Sequence, residues 1–253
     1  MASGAVLAVA AAAGVFFWQS GSGGSSDTDQ TARAAGISEQ EQAAFEDIIR
    51  QYILDNPEII PEAVERLREK QAMARIEGIR QQIETPFAQA FAGNPDGDVV
   101  LVEFSDFACG YCRQSVSDVA RLIEEDPGLK VVFRELPILS DSSGDAAGMA
   151  LAAAKQGRYY DFHTAMFDVG RPSSTTIETA ARKANLDLSS ARSFAASAEA
   201  QQEIENNIRM AQQLEFTGTP SWVVGNQIFN GAVGYDQLKA AIAAVRASRS
   251  AGG

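Results

Sequence analysis

Apolar residues run almost unbroken through Asp98 to Phe104 (DVVLVEF), a β-branched stretch entered from the turn cluster Asn94-Pro95-Asp96-Gly97. That pattern predicts a buried strand. The period then becomes helical, with Val116, Val119, Ala120, Leu122 and Ile123 on one face of Cys112 to Glu125. Pro127-Gly128 ends this helix, and Leu129 to Phe133 (LKVVF) predicts a second strand. The unit is therefore β-α-β, a parallel pair with a right-handed crossover. From Ser143 to Leu214 the pattern is helical throughout, broken near Gly157, at Gly170-Arg171-Pro172 and at Leu186-Asp187-Leu188. Ser221 to Val224 and Gln227 to Phe229 predict a hairpin around Gly225-Asn226. Tyr235 to Val245 predicts an amphipathic helix, and residues 248–253 a disordered tail.

Upstream, Ser38-x-x-Glu41 opens a helix with a capping-box pattern, and Phe45, Ile48, Ile49, Tyr52 and Ile53 form its apolar face. Asn56-Pro57 is expected to stop that helix and start the next, with Asn56 as N-cap and Pro57 at the first helical position. The second helix extends to Glu84, carrying Ile60, Val64, Leu67, Ala74, Ile76, Ile79 and Ile83 in a narrow stripe that drifts sideways near Met73 to Ile76. Its other faces are laced with Glu and Arg. Such a stripe fits an oligomerisation stalk over residues 38–85, buried by partner chains. The other reading is a helical hairpin folded back on its own domain.

Met1 to Trp18 holds no charged side chain, and its apolar core from Ala5 is the length of a signal-peptide apolar region. A cleaved signal and an uncleaved amino-terminal membrane anchor both fit residues 1–18, and both predict export. Residues 19–37 are small and polar and are expected to be a flexible linker. The chain has 253 residues and a net charge of −12, which argues against nucleic acid as a partner and against an electrostatic grip on anionic lipid. One His and two Cys leave too few ligands for a His/Cys zinc site and too few thiols for a disulfide-stapled miniature fold.

Both cysteines fall in Cys109-Gly110-Tyr111-Cys112, where the first strand hands over to the helix. A helix N-terminus offers unpaired N–H groups and partial positive charge, which favour a thiolate at Cys109. Cys112, one turn further in, would be the less exposed resolving thiol. The alternative is a closed, inert disulfide. A β-α-β half and a β-β-α half separated by a helical block of about seventy residues is the arrangement of a thioredoxin fold with an inserted helical domain.

The stretches VLVEFSDFACGYCRQ, FRELPILS, QGRYYDFHTAMF and TGTPSWVVGNQIFNGAV together resemble the DsbA family of thiol-disulfide oxidoreductases, over essentially all of Pro86 to Val245. Phe45 to Gln71 resembles the helical segment that precedes the catalytic domain in the ScsC-like (suppressor of copper sensitivity) subgroup. The resemblance implies an α/β thioredoxin-like domain over residues 86–247, with its helical insertion at about 143–214, behind an N-terminal helical oligomerisation segment. It implies that Thr219-Pro220 is a cis-proline loop facing the cysteines, whose backbone pairs with an extended substrate. Glu103, six residues before Cys109, would be a buried acid relaying a proton to or from Cys112, or else a partly solvated strand carboxylate. Gly110 and Tyr111 would tune the thiol potential. His163, in the FHTAMF helix, is assigned to packing.

These readings converge on an extracytoplasmic, periplasmic thiol-disulfide oxidoreductase that needs no cofactor or metal at its site. Tyr111 in place of the His found in DsbA leans it toward a disulfide isomerase or reductase. A dithiol oxidase is the runner-up, and a copper(I)-binding protein, holding the soft cation on two thiolates, is the rival outside enzymes. The implied partners are disulfide-containing or reduced client proteins, a DsbB-like or DsbD-like membrane redox protein, and further copies of the chain.

Overall fold

A computed structural model of the chain describes residues 27–251, so the signal or anchor expected over residues 1–18 lies outside the described residues. No helix among the described residues is long and apolar enough to cross a membrane. The chain divides at Pro61–Glu62 into two compact units.

The first unit holds α1 (Asp27–Ala34) and α2 (Glu39–Asp55). Part of the expected flexible linker is thus helical, and that expectation is corrected for residues 27–34. Helix α1 carries Arg33 in its last turn, where a cation complements the helix dipole. Gly36, at φ +76°, lets the chain turn so that the Ile37 N–H reaches the Ala32 carbonyl at 2.9 Å. Ser38 then caps α2 through the expected capping box with Glu41. Asn56 does not act as an N-cap. Its backbone N–H and its side-chain amide both donate to the Tyr52 carbonyl, closing α2. A turn of i→i+3 bonds follows, and α3 (Ile59–Glu84) begins two residues after Pro57. Helix α2 buries none of its residues; Phe45, Ile48, Ile49 and Tyr52 face outward.

The second unit contains the rest of α3, a five-stranded sheet and seven more helices. Strands β1 (Phe91–Gly93), β2 (Val99–Ser105), β3 (Leu129–Glu135), β4 (Ser221–Val224) and β5 (Gln227–Asn230) lie in the order β1-β3-β2-β4-β5. Only β2 and β3 are parallel, with Glu103 opposite Phe133 and Ser105 opposite Glu135. Helix α4 (Gly110–Glu125) is the crossover between them. Helices α5 (Asp141–Lys155), α6 (Tyr159–Val169), α7 (Ser174–Lys183), α8 (Leu188–Ala195) and α9 (Ala198–Gln213) form the insertion, and α10 (Tyr235–Ala251) closes the unit. The break between α8 and α9, which no Gly or Pro marks, is made by Ser197 as N-cap.

Strand alternation sorts the core into two layers. Leu101, Val131, Phe133, Trp222 and Val224 face one side, where α4, α10 and much of the insertion pack. Val102, Phe104, Val132 and Val223 face the other, covered by Ile76, Ile79 and Ile83 of α3 and by Met210 and Ala211 of α9. Both faces are covered, which is why DVVLVEF reads as continuous apolar sequence.

The expected stalk over residues 38–85 is therefore corrected at its carboxyl end. The last turns of α3 belong to the sheet's own core, while Leu67 remains 54% exposed and Ile60 and Val64 are likewise open. The sideways drift of the stripe near Met73 marks the change of partner. Arg134 on β3 secures this end of α3: its guanidinium donates to the carbonyls of Gln82, Ile83 and Thr85 and pairs with Glu203 of α9 at 2.8 Å. The tail expected over residues 248–253 is corrected for residues 248–251, because α10 continues to Ala251; residues 252–253 lie outside the described residues. Arg246 bridges Asp98 and Asp126, and Arg249 donates to the Asp98 carbonyl, so the last turns are tied to the sheet.

No sequence pattern predicts strand β1. Three residues are too few to show an alternation, and the strand exists because β3 offers a free edge. Gly93, at φ +79°, approaches the Leu129 carbonyl so closely that a Cβ would overlap it.

Candidate active site

Strand β2 ends at Ser105, and four residues later the chain reaches Cys109 as the N-cap of α4. The Cys109 N–H donates to the Asp106 carbonyl at 2.9 Å, which fixes the turn. Cys109 Sγ accepts the N–H of Cys112 at 3.4 Å and donates to the Thr219 carbonyl at 3.2 Å. A sulfur at an N-cap faces the unpaired amides of the first turn, an arrangement suited to carrying negative charge. Both cysteines are free thiols. Cys109 opens on a groove of about 730 Å3 lined also by Tyr111, Leu139, Arg171, Pro172 and Thr219. Cys112 is fully buried; burial, and next the charge of Glu103, push its thiol pKa up. The two sulfurs therefore differ: Cys109 is 6% exposed and borders the groove, and Cys112 is wholly enclosed.

Thr219-Pro220 is a cis peptide, and it is the Thr219 carbonyl that meets the Cys109 thiol. The Thr219 hydroxyl is buried without a hydrogen-bond partner among the described residues. The Pro220 carbonyl is taken up by the Gly231 N–H at 2.8 Å. Glu103 sits at the middle of β2, between Phe133 and Trp222 of the neighbouring strands, and is 1% exposed. The alternative of a partly solvated carboxylate is thereby excluded. Burial, with the Cys109 charge adding to it, pushes the carboxyl up to about 8, so it holds its proton at neutral pH. Tyr111 is 63% exposed, and a Cβ on Gly110 would meet nothing within 4 Å, so packing does not demand either residue. His163 is buried among Phe107, Phe133, Phe167 and Tyr159, and burial drives its pKa down to about 3, leaving it neutral.

Sequence reasoning missed three buried polar residues here. Glu135 lies on the same sheet face as Glu103, accepts the Tyr159 hydroxyl at 2.6 Å and is held well above the usual carboxylate range by burial. The Ser105 hydroxyl, on that face beside the two acids, has no hydrogen-bond partner among the described residues. Asp106 was signalled by its place immediately after a strand, where an Asp commonly accepts the amide two residues on; its Oδ1 takes the Ala108 N–H at 2.8 Å. Among the described residues no group of three or more His, Cys, Asp or Glu is gathered as for a metal.

A sheet with one parallel pair, a helical block between its halves and a dithiol beside a cis-proline define a thioredoxin-like protein. The family follows from comparison with known proteins. The chain belongs to the family of DSBA-like thioredoxin domains, whose model matches residues 100–243, and residues 41–74 match the copper resistance protein ScsC N-terminal domain. A thioredoxin-like oxidoreductase from Silicibacter pomeroyi is 38% identical, with a TM-score of 0.62 over 65% of this chain and 95% of that one. A linker-deletion mutant of Proteus mirabilis ScsC, 23% identical, superposes with a TM-score of 0.65 over 84% of this chain and 98% of that one, which shows the fold alone. The probable disulfide bond formation protein D of Bacillus anthracis is 28% identical over 168 residues, 61% of this chain and 76% of that protein. The chain is also 29% identical over 161 residues to the Na(+)/H(+) antiporter NhaA 3 of Salinispora tropica; the match takes in 62% of this chain but only 24% of the antiporter's length. The thioredoxin-like fold with an inserted helical domain and N-terminal helices is as the sequence predicted.

Proposed function

We propose that the protein is an extracytoplasmic thiol-disulfide oxidoreductase working chiefly as a disulfide isomerase or reductase on client proteins. The observation that carries this is the asymmetry of the dithiol: Cys109 sits at a helix N-cap against the Thr219 carbonyl, while Cys112 is enclosed above Glu103. The Cys109 thiolate attacks one sulfur of a substrate disulfide; a Cys109–substrate bond forms, and the other substrate sulfur leaves as a thiolate. In isomerisation that thiolate attacks another disulfide of the client, and a client thiolate finally displaces Cys109. In reduction the proton of Cys112 passes to Glu103 in the minority of molecules whose carboxyl, raised to about 8, has ionised at neutral pH; Cys112 then attacks the Cys109 sulfur and expels the substrate thiolate, leaving a Cys109–Cys112 disulfide. The Thr219 backbone beside Pro220 would pair with the extended substrate, and Gly110 and Tyr111 would set the potential.

The apolar faces of α2 and the amino-terminal part of α3 support homo-oligomerisation, which would bring several dithiols to one client. The uncharged segment of residues 1–18 supports export to the periplasm. A DsbD-like membrane protein would keep an isomerase reduced; a DsbB-like one would recharge an oxidase. Copper(I) binding by the thiols is tested by titrating the reduced protein with cuprous ion.

The deciding experiment is reactivation of a scrambled-disulfide enzyme. A chain cut at Pro86 would lose Ile76, Ile79 and Ile83 from the core, so the comparison uses the whole chain with Ile48, Ile49 and Leu67 replaced by Ser. Reactivation by the unaltered chain, lost in the variant while both still exchange disulfides, is the expected result. If both fail to reshuffle yet readily oxidise reduced substrate, the oxidase reading replaces it.

A further inference from the structure

Asp106 is a buried carboxylate with no ion-pair partner among the described residues, and its oxygens are taken up by neutral donors. Oδ1 accepts the Ala108 N–H at 2.8 Å and the Ser143 hydroxyl at 2.7 Å; Oδ2 accepts the backbone N–H groups of Ile138 and Leu139 at 2.8 and 2.9 Å. Its own carbonyl accepts the Cys109 N–H at 2.9 Å. One residue therefore joins the cysteine turn, the start of α5 and the loop after β3. That loop presents two apolar side chains to solvent, Ile138 at 48% and Leu139 at 52% exposed, and Leu139 lines the groove onto which Cys109 opens. Exposed apolar side chains on a loop ordinarily move; here their amides are pinned from beneath by a carboxylate.

We propose that Asp106 is a positioning residue for substrate: it holds the apolar lip Ile138–Leu139 at a fixed place beside Cys109, so that an extended apolar peptide is delivered to the sulfur. It acts through the lip's backbone and touches neither substrate nor the reacting sulfurs with its side chain. This rests on the oxidoreductase reading and names the recognition device of the same site. The chemistry selects stretches of unfolded chain with apolar side chains near the cysteine and gives no advantage to a small polar disulfide.

The test compares single-turnover reduction of two disulfides by the reduced full chain: an apolar peptide whose one cysteine carries glutathione, and free oxidised glutathione. In Asp106→Ala the peptide concentration at half-maximal rate rises about tenfold, a loss several times larger than any fall in the rate with oxidised glutathione, which reports what the variant does to the cysteine turn alone. Asp106→Asn rescues to within about threefold: the Asn oxygen can stay on the Ile138 and Leu139 amides that fix the lip and its NH2 can donate to the Ser143 hydroxyl, the loss of the Ala108 N–H bond accounting for the incomplete recovery. Equal loss with both disulfides in Asp106→Ala, or no change in a folded variant, overturns the proposal. Should Asp106→Ala not fold, amide hydrogen exchange of the unaltered chain decides: slow exchange at Ile138 and Leu139 supports the clamp, and exchange at free-loop rates refutes it. An unaltered chain that reduces neither disulfide refutes the oxidoreductase reading instead, a distinct outcome.

Discussion

Replacing Glu103 by Gln should make the protein more stable, by an amount that grows with pH. Glu103 is enclosed, and its carboxyl is pushed from 4.5 to about 8. The folded state therefore binds a proton that the unfolded state has already released. For a group whose folded pKa is raised, stability is fully present below the unfolded value and is lost as pH rises from there through the folded value. Each pH unit within that window costs about 1.4 kcal/mol. The penalty is thus about 1 kcal/mol at pH 5, about 3 at pH 7 and about 5 at pH 8.5, where it levels off. These are upper values, since water entering the core of an opened molecule lowers the desolvation cost. The amide introduced by Glu103→Gln cannot ionise, so the stability difference between variant and unaltered protein follows this curve, on top of a pH-independent offset from the changed hydrogen bonding. Urea unfolding of both reduced proteins from pH 5 to 8.5 measures it. Glu135 and the other buried groups are common to both and cancel to first order. In the disulfide form Cys109 carries no charge, so the difference should shrink. Parallel pH profiles for the two reduced proteins would refute the reasoning and place water beside Glu103.

Arg134→Met should destabilise the second unit by about 3–5 kcal/mol, because it strands buried carbonyls at the end of α3 and leaves Glu203 unpaired; thermal unfolding reports the loss, and protease should gain access near Thr85. Ile83→Ala should cost about 2–5 kcal/mol in urea unfolding, since Ile83 is wholly enclosed between α3 and the sheet. Leu67→Ala, on the same helix but exposed, should change that stability by less than about 0.5 kcal/mol and instead lower the mass of any oligomer seen by light scattering.

The strands, the crossover helix and the dithiol were legible because each depends on neighbours in sequence. β2 and β3 are β-branched runs between turn signals, Ser38 and Glu41 cap a helix within one turn, and Cys109 and Cys112 are bound to meet at a helix start. Glu103 could be placed by counting back along a strand, but its raised pKa could not. Desolvation is supplied by Phe133, Trp222 and α4, which lie 30 to more than 100 residues away or across a turn.

What the sequence by itself determined was local: the periods, the caps, the apolar stripe along α3 and the spacing of the thiols. The tertiary structure decided which part of that stripe is core. Ile60, Val64 and Leu67 are chemically equivalent to Ile76, Ile79 and Ile83, yet only the latter meet the sheet, because Arg134 and α9 draw the end of the helix onto it. It also decided that Asp106, one acidic residue among 33, would collect amides from a loop more than thirty residues away. Hydrophobic burial and the satisfaction of buried polar groups act between segments that the fold brings together, and no periodicity along one segment records its partner.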